Sequence, residues 1–178
     1  MKKIEIDLLK NIKVVVFDVD GTLTDNGLYY SKNGLELKKF NVKDGMAISL
    51  LKFIDIKTIF LTSENSEIIT SRAKKLKIDF VIQNTHNKLD ELTQLYLKNN
   101  LSFDETLFLC DDINDLETAE KVRFSASPND ASHFIKNKVN FVSNLNGGMG
   151  FAREVIEYLF ISKGYDLHDI YKISKKQL

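Results

Sequence analysis

Val14–Asp25 reads VVVFDVDGTLTD. Three valines and a phenylalanine in succession predict a short strand buried on both faces, since a half-exposed strand would alternate apolar with polar residues. The run stops at Asp18, and Asp20 and Gly21 follow, so the strand delivers two carboxylates into a tight turn that glycine permits. Carboxylates two residues apart suit a division of labour. One attacks as a nucleophile, while the other carries a proton as general acid and later acts as general base. So short a motif also fits an ordinary loop start, and the rest of the chain has to choose between the two.

Outward from this run, short apolar segments alternate with stretches of helical period. Strands are predicted at Lys13–Phe17, Lys57–Leu61, Phe80–Ile82, Thr106–Cys110, Phe124–Ala126 and Phe141–Val142. Helices are predicted at Gly45–Phe53, Glu64–Leu76, Lys88–Asn99, Ile113–Lys121, Ala131–Lys136 and Gly150–Phe160. The alternation implies an α/β, doubly wound, Rossmann-like parallel sheet. Leu28–Phe40 breaks it: Asn33-Gly34 between two strand-like runs predicts a β-hairpin inserted after the first strand. The 178 residues are expected to form a single domain, with a polar, basic tail from Gly164 as a frayed end or an arm.

Twenty-five basic residues balance twenty-five acidic ones, so no net positive field points to nucleic acid or to an anionic membrane surface. An anionic substrate would have to be held by local charge. The apolar runs are strand-sized, too short to span a bilayer. MKKIEIDLLK lacks a signal-like apolar stretch, and Cys110 is the single cysteine; both predict a cytoplasmic address.

Ligands of open α/β sheets bind beyond the carboxyl ends of the strands. Thr62 follows TIFL and Asp111-Asp112 follow TLFLC, so three strands are expected to bring hydroxyl and carboxylate groups to the edge that holds Asp18 and Asp20. Asp111, Asp112 and Asp115 crowd more negative charge there, and a hard cation such as Mg²⁺ would relieve it. Acids that favour a helix start are the competing explanation. Lys88, opening a predicted helix, has an ammonium that could offset phosphate charge, although most lysines are simply solvated. His86, His133 and His168 show no metal-ligand spacing. Gly147, Gly148 and Gly150 read as a helix-entry turn.

In order, FDVDGTLTD, Thr62, Lys88 and DDIND resemble the four signature motifs of the haloacid dehalogenase superfamily. The resemblance implies that Asp18 is the nucleophile forming an aspartyl-phosphate and Asp20 the acid/base. It implies that Thr62 binds the transferring phosphoryl group and that Lys88 offsets its charge. Mg²⁺ would be held by Asp18, Asp111 and the Asp20 carbonyl, with Asp115 and Asp112 behind them.

Three further stretches, LKKFNVKDGMAI, QNTHNKLDEL and NGGMGFAREVIEYLF, resemble those of the 3-deoxy-octulosonate 8-phosphate phosphatases and their nonulosonate 9-phosphate relatives. Ser63 and Cys110 stand where that branch usually has glycine. The intervals between motifs leave no room for a cap domain, and the resemblance implies a homotetramer packed through the hairpins. Glu64 stands where octulosonate phosphatases usually carry arginine. In the nonulosonate relatives a glutamate is found there, with a lysine three helical turns on that matches Lys75. The expected substrate is therefore a phosphorylated sugar acid, with the nonulosonate 9-phosphate ahead of the octulosonate 8-phosphate. Ser63, Glu64, Arg72, Lys75 and Arg153 are candidate substrate contacts. The rival readings are a catalytically weak oligomerisation or regulatory domain and a broad sugar phosphatase.

Overall fold

The computed structural model describes residues 3–32, 34 and 36–175. Six strands form one parallel sheet: β1 (Val14–Phe17), β4 (Lys57–Leu61), β5 (Phe80–Ile82), β6 (Thr106–Leu109), β7 (Phe124–Ser127) and β8 (Phe141–Val142). Their order is β5-β4-β1-β6-β7-β8, so β1 lies at the centre with its neighbours in register from Val14 through Phe17 on both sides. The chain winds outward from β1 through β4 and β5, then crosses to β6, β7 and β8. This reversal opens a crevice beside the end of β1.

The two faces of β1 bury separate cores, which is why its sequence is apolar throughout. Val15 and Phe17 pack with α2 (Val42–Leu51), α3 (Glu67–Leu76) and α7 (Phe151–Ser162); Phe17 meets Phe60 edge-on with ring centroids 6.1 Å apart. Val14 and Val16 face α4 (Lys88–Asn99), α5 (Leu116–Lys121) and α6 (His133–Lys136) through Leu92, Tyr96, Ala119 and Ile135. No helix among the described residues is long and apolar enough to cross a membrane.

Caps move several expected boundaries. Asn41 accepts hydrogen bonds from the Lys43 and Asp44 amides, starting α2 at Val42 rather than Gly45. Ser66 accepts from the Ile68 amide, starting α3 at Glu67 rather than Glu64. The Ile113–Lys121 helix is a 3₁₀ turn, Ile113–Asp115, running into α5, because Asp112 and Asp115 form a capping box. The helix Lys88–Asn99 has the expected bounds, and the remaining helix boundaries shift by at most two residues. The hairpin pairs β2 (Thr24–Tyr30) with β3 (Glu36–Phe40), so it starts four residues before the expected Leu28, and Asn33 of its turn lies outside the described residues. Two helices were not expected. α1 spans Lys3–Leu8, and α8 (Leu167–Lys175) occupies most of the tail, packing Ile170 and Ile173 on the core. Lys176, Gln177 and Leu178 lie outside the described residues.

Candidate active site

The β1 ladder carries one residue past the strand, where the Asp18 amide donates to the Leu109 carbonyl at 2.9 Å. This fixes the backbone of Asp18 at the mouth of the crevice. Gly21 then turns the chain at φ 85°, and a Cβ there would meet Asp111 Oδ2 at 2.0 Å. Gly21 thus allows both the turn and the approach of the β6 loop to the β1 loop. Asp18, Asp20, Asn26, Thr62, Ser63, Glu64 and Asp111–Asn114 line a cleft of about 330 Å³.

Beneath the cleft, Lys88 begins α4, with Asn87 as the cap, and is 2 % exposed. Its ammonium donates to Asp18 Oδ1 at 2.5 Å and to Asp115 Oδ1 at 2.6 Å. Burying an ammonium costs several kcal/mol unless anions accompany it, and here two do. Burial alone would lower the Lys88 pKa, but the two carboxylates outweigh it and hold the group above its ordinary value, fully charged. The other oxygen of Asp115 accepts from the amides of Asp111 at 3.2 Å and Asp112 at 3.4 Å. Asp115 therefore ties Lys88 to the β6 loop with both oxygens engaged.

Asp18, Asp111 and Asp115 each present a carboxylate oxygen within 4.8 Å of the others, all buried. Burial, followed by the Asp115 charge, pushes Asp18 up to about 7 against the pull of Lys88. Burial and the charges of Asp18 and Asp115 push Asp111 up to about 9. Carboxylates that resist ionising together fit a site completed by a hard divalent cation. Because the oxygens of Asp115 are engaged elsewhere, Asp18 and Asp111 are the side chains open to such a cation.

These shifts have a measurable sign. Without metal, the native state keeps a proton on Asp18 from about pH 4 to about pH 7, and on Asp111 to about pH 9, that the unfolded chain has released, so their contribution to stability falls as pH rises. The Tm in EDTA should drop from pH 5.5 to pH 8.5, and Mg²⁺, which competes with those protons, should raise Tm more at pH 8.5 than at pH 5.5. A Tm in EDTA that rises over this range would refute the assignment.

Thr62 is buried and its hydroxyl accepts from the Glu64 amide at 3.2 Å. Ser63 Oγ accepts from Asn114 Nδ2 at 3.3 Å, bracing the β4 loop against the β6 loop. Asp112 is exposed and caps the 3₁₀ turn through the Ile113 amide. Glu64 lines the cleft from a loop, not from α3, so the three helical turns expected between Glu64 and Lys75 are not formed. The chain at Glu64 is held instead by the Asn84 amide donating to its carbonyl at 3.1 Å.

Lys75, Arg72 and Arg153 do not line the cleft of their own chain. Lys75 is exposed in the last turn of α3. Arg72 donates to the Asn41 carbonyl at 3.2 Å and covers the Phe40 ring. Arg153 pairs with Glu157 at 2.6 Å on α7. Burial, followed by the surrounding carboxylates, pushes the Cys110 thiol well up, which suits a packed residue rather than a nucleophile.

Four contributors were not anticipated. Thr22 donates to Asp111 Oδ1 at 3.5 Å, Asn26 and Asn114 line the cleft, and Lys38 reaches Asp20 at 2.7 Å. Asn26 at φ 63° had a signal, since asparagine before glycine tolerates left-handed backbone. Lys38 had none, because its target depends on hairpin register. The expected turn at Gly147, Gly148 and Gly150 does enter α7, but it also packs on the loop that follows β1: the Gly148 amide donates to the Thr22 carbonyl at 3.2 Å.

No family model matches the chain. It is 32% identical over 155 residues to the 3-deoxy-D-manno-octulosonate 8-phosphate phosphatase KdsC of Escherichia coli K12, covering 87% of this chain and 82% of that protein. The chain belongs to the haloacid dehalogenase superfamily. Its place there is with the 3-deoxy-octulosonate 8-phosphate phosphatases, a branch of phosphoric monoester hydrolases. The structure of the Moraxella catarrhalis octulosonate phosphatase, in complex with magnesium ion, phosphate ion and KDO, superposes with TM-score 0.90 at 29% identity, covering 99% of this chain and all of that one. The cobalt-bound Haemophilus influenzae phosphatase superposes with TM-score 0.87 at 31% identity, covering 93% and 99%. Like these relatives, the superfamily member described here has a doubly wound sheet, and no cap domain is evident among its described residues.

Proposed function

We propose that this chain is a Mg²⁺-dependent phosphatase that removes the terminal phosphate of an acidic keto-deoxy sugar through an aspartyl-phosphate on Asp18. The observation that carries the reading is the buried trio of Lys88, Asp18 and Asp111 at the switch point of the sheet. Asp18, aimed by Lys88, attacks phosphorus, and Asp20 protonates the departing sugar oxygen. Asp20 then takes a proton from the water that cleaves the aspartyl-phosphate. The Thr62 hydroxyl holds a phosphoryl oxygen, Lys88 offsets developing charge, and Asp115 keeps Lys88 in place. Asp18, Asp111 and the Asp20 carbonyl would hold Mg²⁺, which would supply further positive charge to the phosphoryl group. An octulosonate phosphatase structure with magnesium and phosphate supports this reading.

For the sugar, Glu64 on the cleft wall supports the nine-carbon nonulosonate 9-phosphate, because a glutamate at this place resembles the nonulosonate phosphatases, whereas the octulosonate phosphatases usually carry an arginine there. The names of the curated relatives support the second reading, the eight-carbon 3-deoxy-octulosonate 8-phosphate. Comparing kcat/KM for the two esters tests the choice: the nine-carbon ester is expected to be the faster by about tenfold, or ~1.4 kcal/mol of differential transition-state binding, and a preference for the eight-carbon ester reverses it.

A cleft without a cap needs another cover, and Leu28, Tyr29, Tyr30 and Leu37 expose apolar side chains along the hairpin. That supports a homotetramer packed through the hairpins, in which Lys75 or Arg72 would meet a neighbour's substrate. A monomeric mass by light scattering at micromolar concentration refutes it.

A further inference from the structure

Lys38 lies on β3, in a segment that none of the motifs for the chemistry includes, yet its ammonium sits 2.7 Å from Asp20 Oδ1. The Lys38 side chain is shielded from solvent, and Asp20 keeps 26 % of its side chain exposed. An ammonium so enclosed needs an anion beside it, and Asp20 supplies one.

The hairpin register makes this contact. β2 starts within four residues of Asp20, and its pairing with β3 steps from Thr24 opposite Phe40 to Leu28 opposite Lys38. Between these pairs three residues of β2, Asp25–Gly27, therefore face one of β3, Lys39, and form a bulge, with Asn26 at φ 63° and the Gly27 amide donating to Asp25 Oδ1 at 3.3 Å. Bulges re-aim side chains beside active sites. The next residue, Lys39, pairs instead with Asp25 at 2.9 Å, as alternation along a strand requires. A slip of one residue would turn Lys38 to the other face of the hairpin, away from Asp20.

The second oxygen of Asp20 has a different environment. Oδ2 is buried with no hydrogen-bond partner among the described residues, while Asp20 lines the cleft. One oxygen of the carboxyl is held and the other is left over, as a group needs if it is to exchange a proton with a substrate oxygen.

We propose that Lys38 is a positioning residue for the general acid/base: by holding Oδ1 it aims Oδ2 of Asp20 at the leaving-group oxygen. This rests on the reading of Asp20 in the proposed mechanism. It also makes the hairpin part of the catalytic apparatus, since whatever shifts β3 shifts Asp20.

A general acid matters most when the leaving oxygen is basic. The test is the ratio of kcat on 3-deoxy-octulosonate 8-phosphate, an alkyl ester, to kcat on 4-nitrophenyl phosphate, whose leaving group needs little protonation. Both are measured at saturating Mg²⁺ for wild type, Lys38→Met, Lys38→Arg and Asp20→Asn. Lys38→Met should lower the ratio by about tenfold or more, a share of the 10²–10⁴ that a general acid contributes, and Lys38→Arg should restore part of it. Activity on the aryl ester reports that the variants are folded. An unchanged ratio in Lys38→Met beside a lowered ratio in Asp20→Asn overturns the role of Lys38 alone. Unchanged ratios in both overturn the general-acid reading of Asp20 and the proposal with it.

Discussion

Asp18→Asn is expected to lower kcat by roughly 10⁴-fold or more, the scale seen when a covalent nucleophile is removed, while Tm stays within a few degrees of wild type. The loss follows from chemistry, because an amide oxygen does not form the acyl phosphate that divides hydrolysis into two displacements. The retained fold follows from charge. Asp18 sits in a buried group with Asp111 and Asp115, and removing one negative charge there relieves repulsion while Lys88 keeps Asp115 at 2.6 Å. Asparagine also keeps the backbone bond from residue 18 to Leu109, so β1 should not fray. Steady-state kinetics with Mg²⁺ and thermal melting decide it together. A folded variant that retained a tenth of wild-type activity would remove Asp18 from the role of nucleophile.

Much of the placement of this site was legible in the sequence, for a local reason. VVVF, TIFL and TLFLC are apolar on both faces, so each reads as a strand of a covered parallel sheet, and the polar residue that ends each run must emerge at one edge. Asp18, Thr62 and Asp111 line one cleft accordingly. Helix starts were less legible where two caps competed. Ser63 and Ser66 both precede the α3 pattern, and Ser66 is the one that caps it, which leaves Glu64 in the cleft loop. The tail was obscured by its lysines, although Ile170 and Ile173 are spaced to share a helix face. The Lys38 contact was beyond reach of a sequence reading. It depends on a bulge that shifts register, and nothing in LYYSKNGLELKKF says which of two adjacent lysines faces the site.

The same limit applies to Gly147, where the second large effect is expected. The glycines ahead of α7 read as a turn, yet a Cβ on Gly147 would lie 1.8 Å from the Gly21 carbonyl oxygen, 2.7 Å from its carbon and 3.0 Å from the Thr24 carbonyl oxygen. Every atom it meets is backbone, so no rotamer change makes room. Those atoms belong to the loop that carries Asp20 and the Thr22 bond to Asp111. On the far side, the segment cannot withdraw freely. The Gly147 amide donates to Asp130 at 2.9 Å, Asn41 donates to the Gly148 carbonyl at 3.2 Å, and Asp44 accepts from the amides of Gly150 at 3.2 Å and Arg153 at 2.8 Å. One methyl group must therefore either break these bonds or push the β1 loop out of place. Overpacking of well-packed sites costs about 1–3 kcal/mol, and collision with fixed backbone on both sides puts Gly147→Ala at ~3 kcal/mol or above. In a domain of this size that lowers Tm by roughly 6–12 °C. Activity should fall about 100-fold or more even below Tm, because misplacing reacting groups by an ångström already costs that much. Gly150→Ala is the comparison that isolates the cause. Its backbone at φ 101° also disfavours a side chain, but a Cβ there would meet only Leu145 Cδ1 at 3.8 Å. That variant should lose about 1–2 kcal/mol from backbone conformation and keep most of its activity. Equal losses of activity in the two variants would show that the turn itself, rather than its contact with the Asp18–Asp20 loop, is what the glycines preserve.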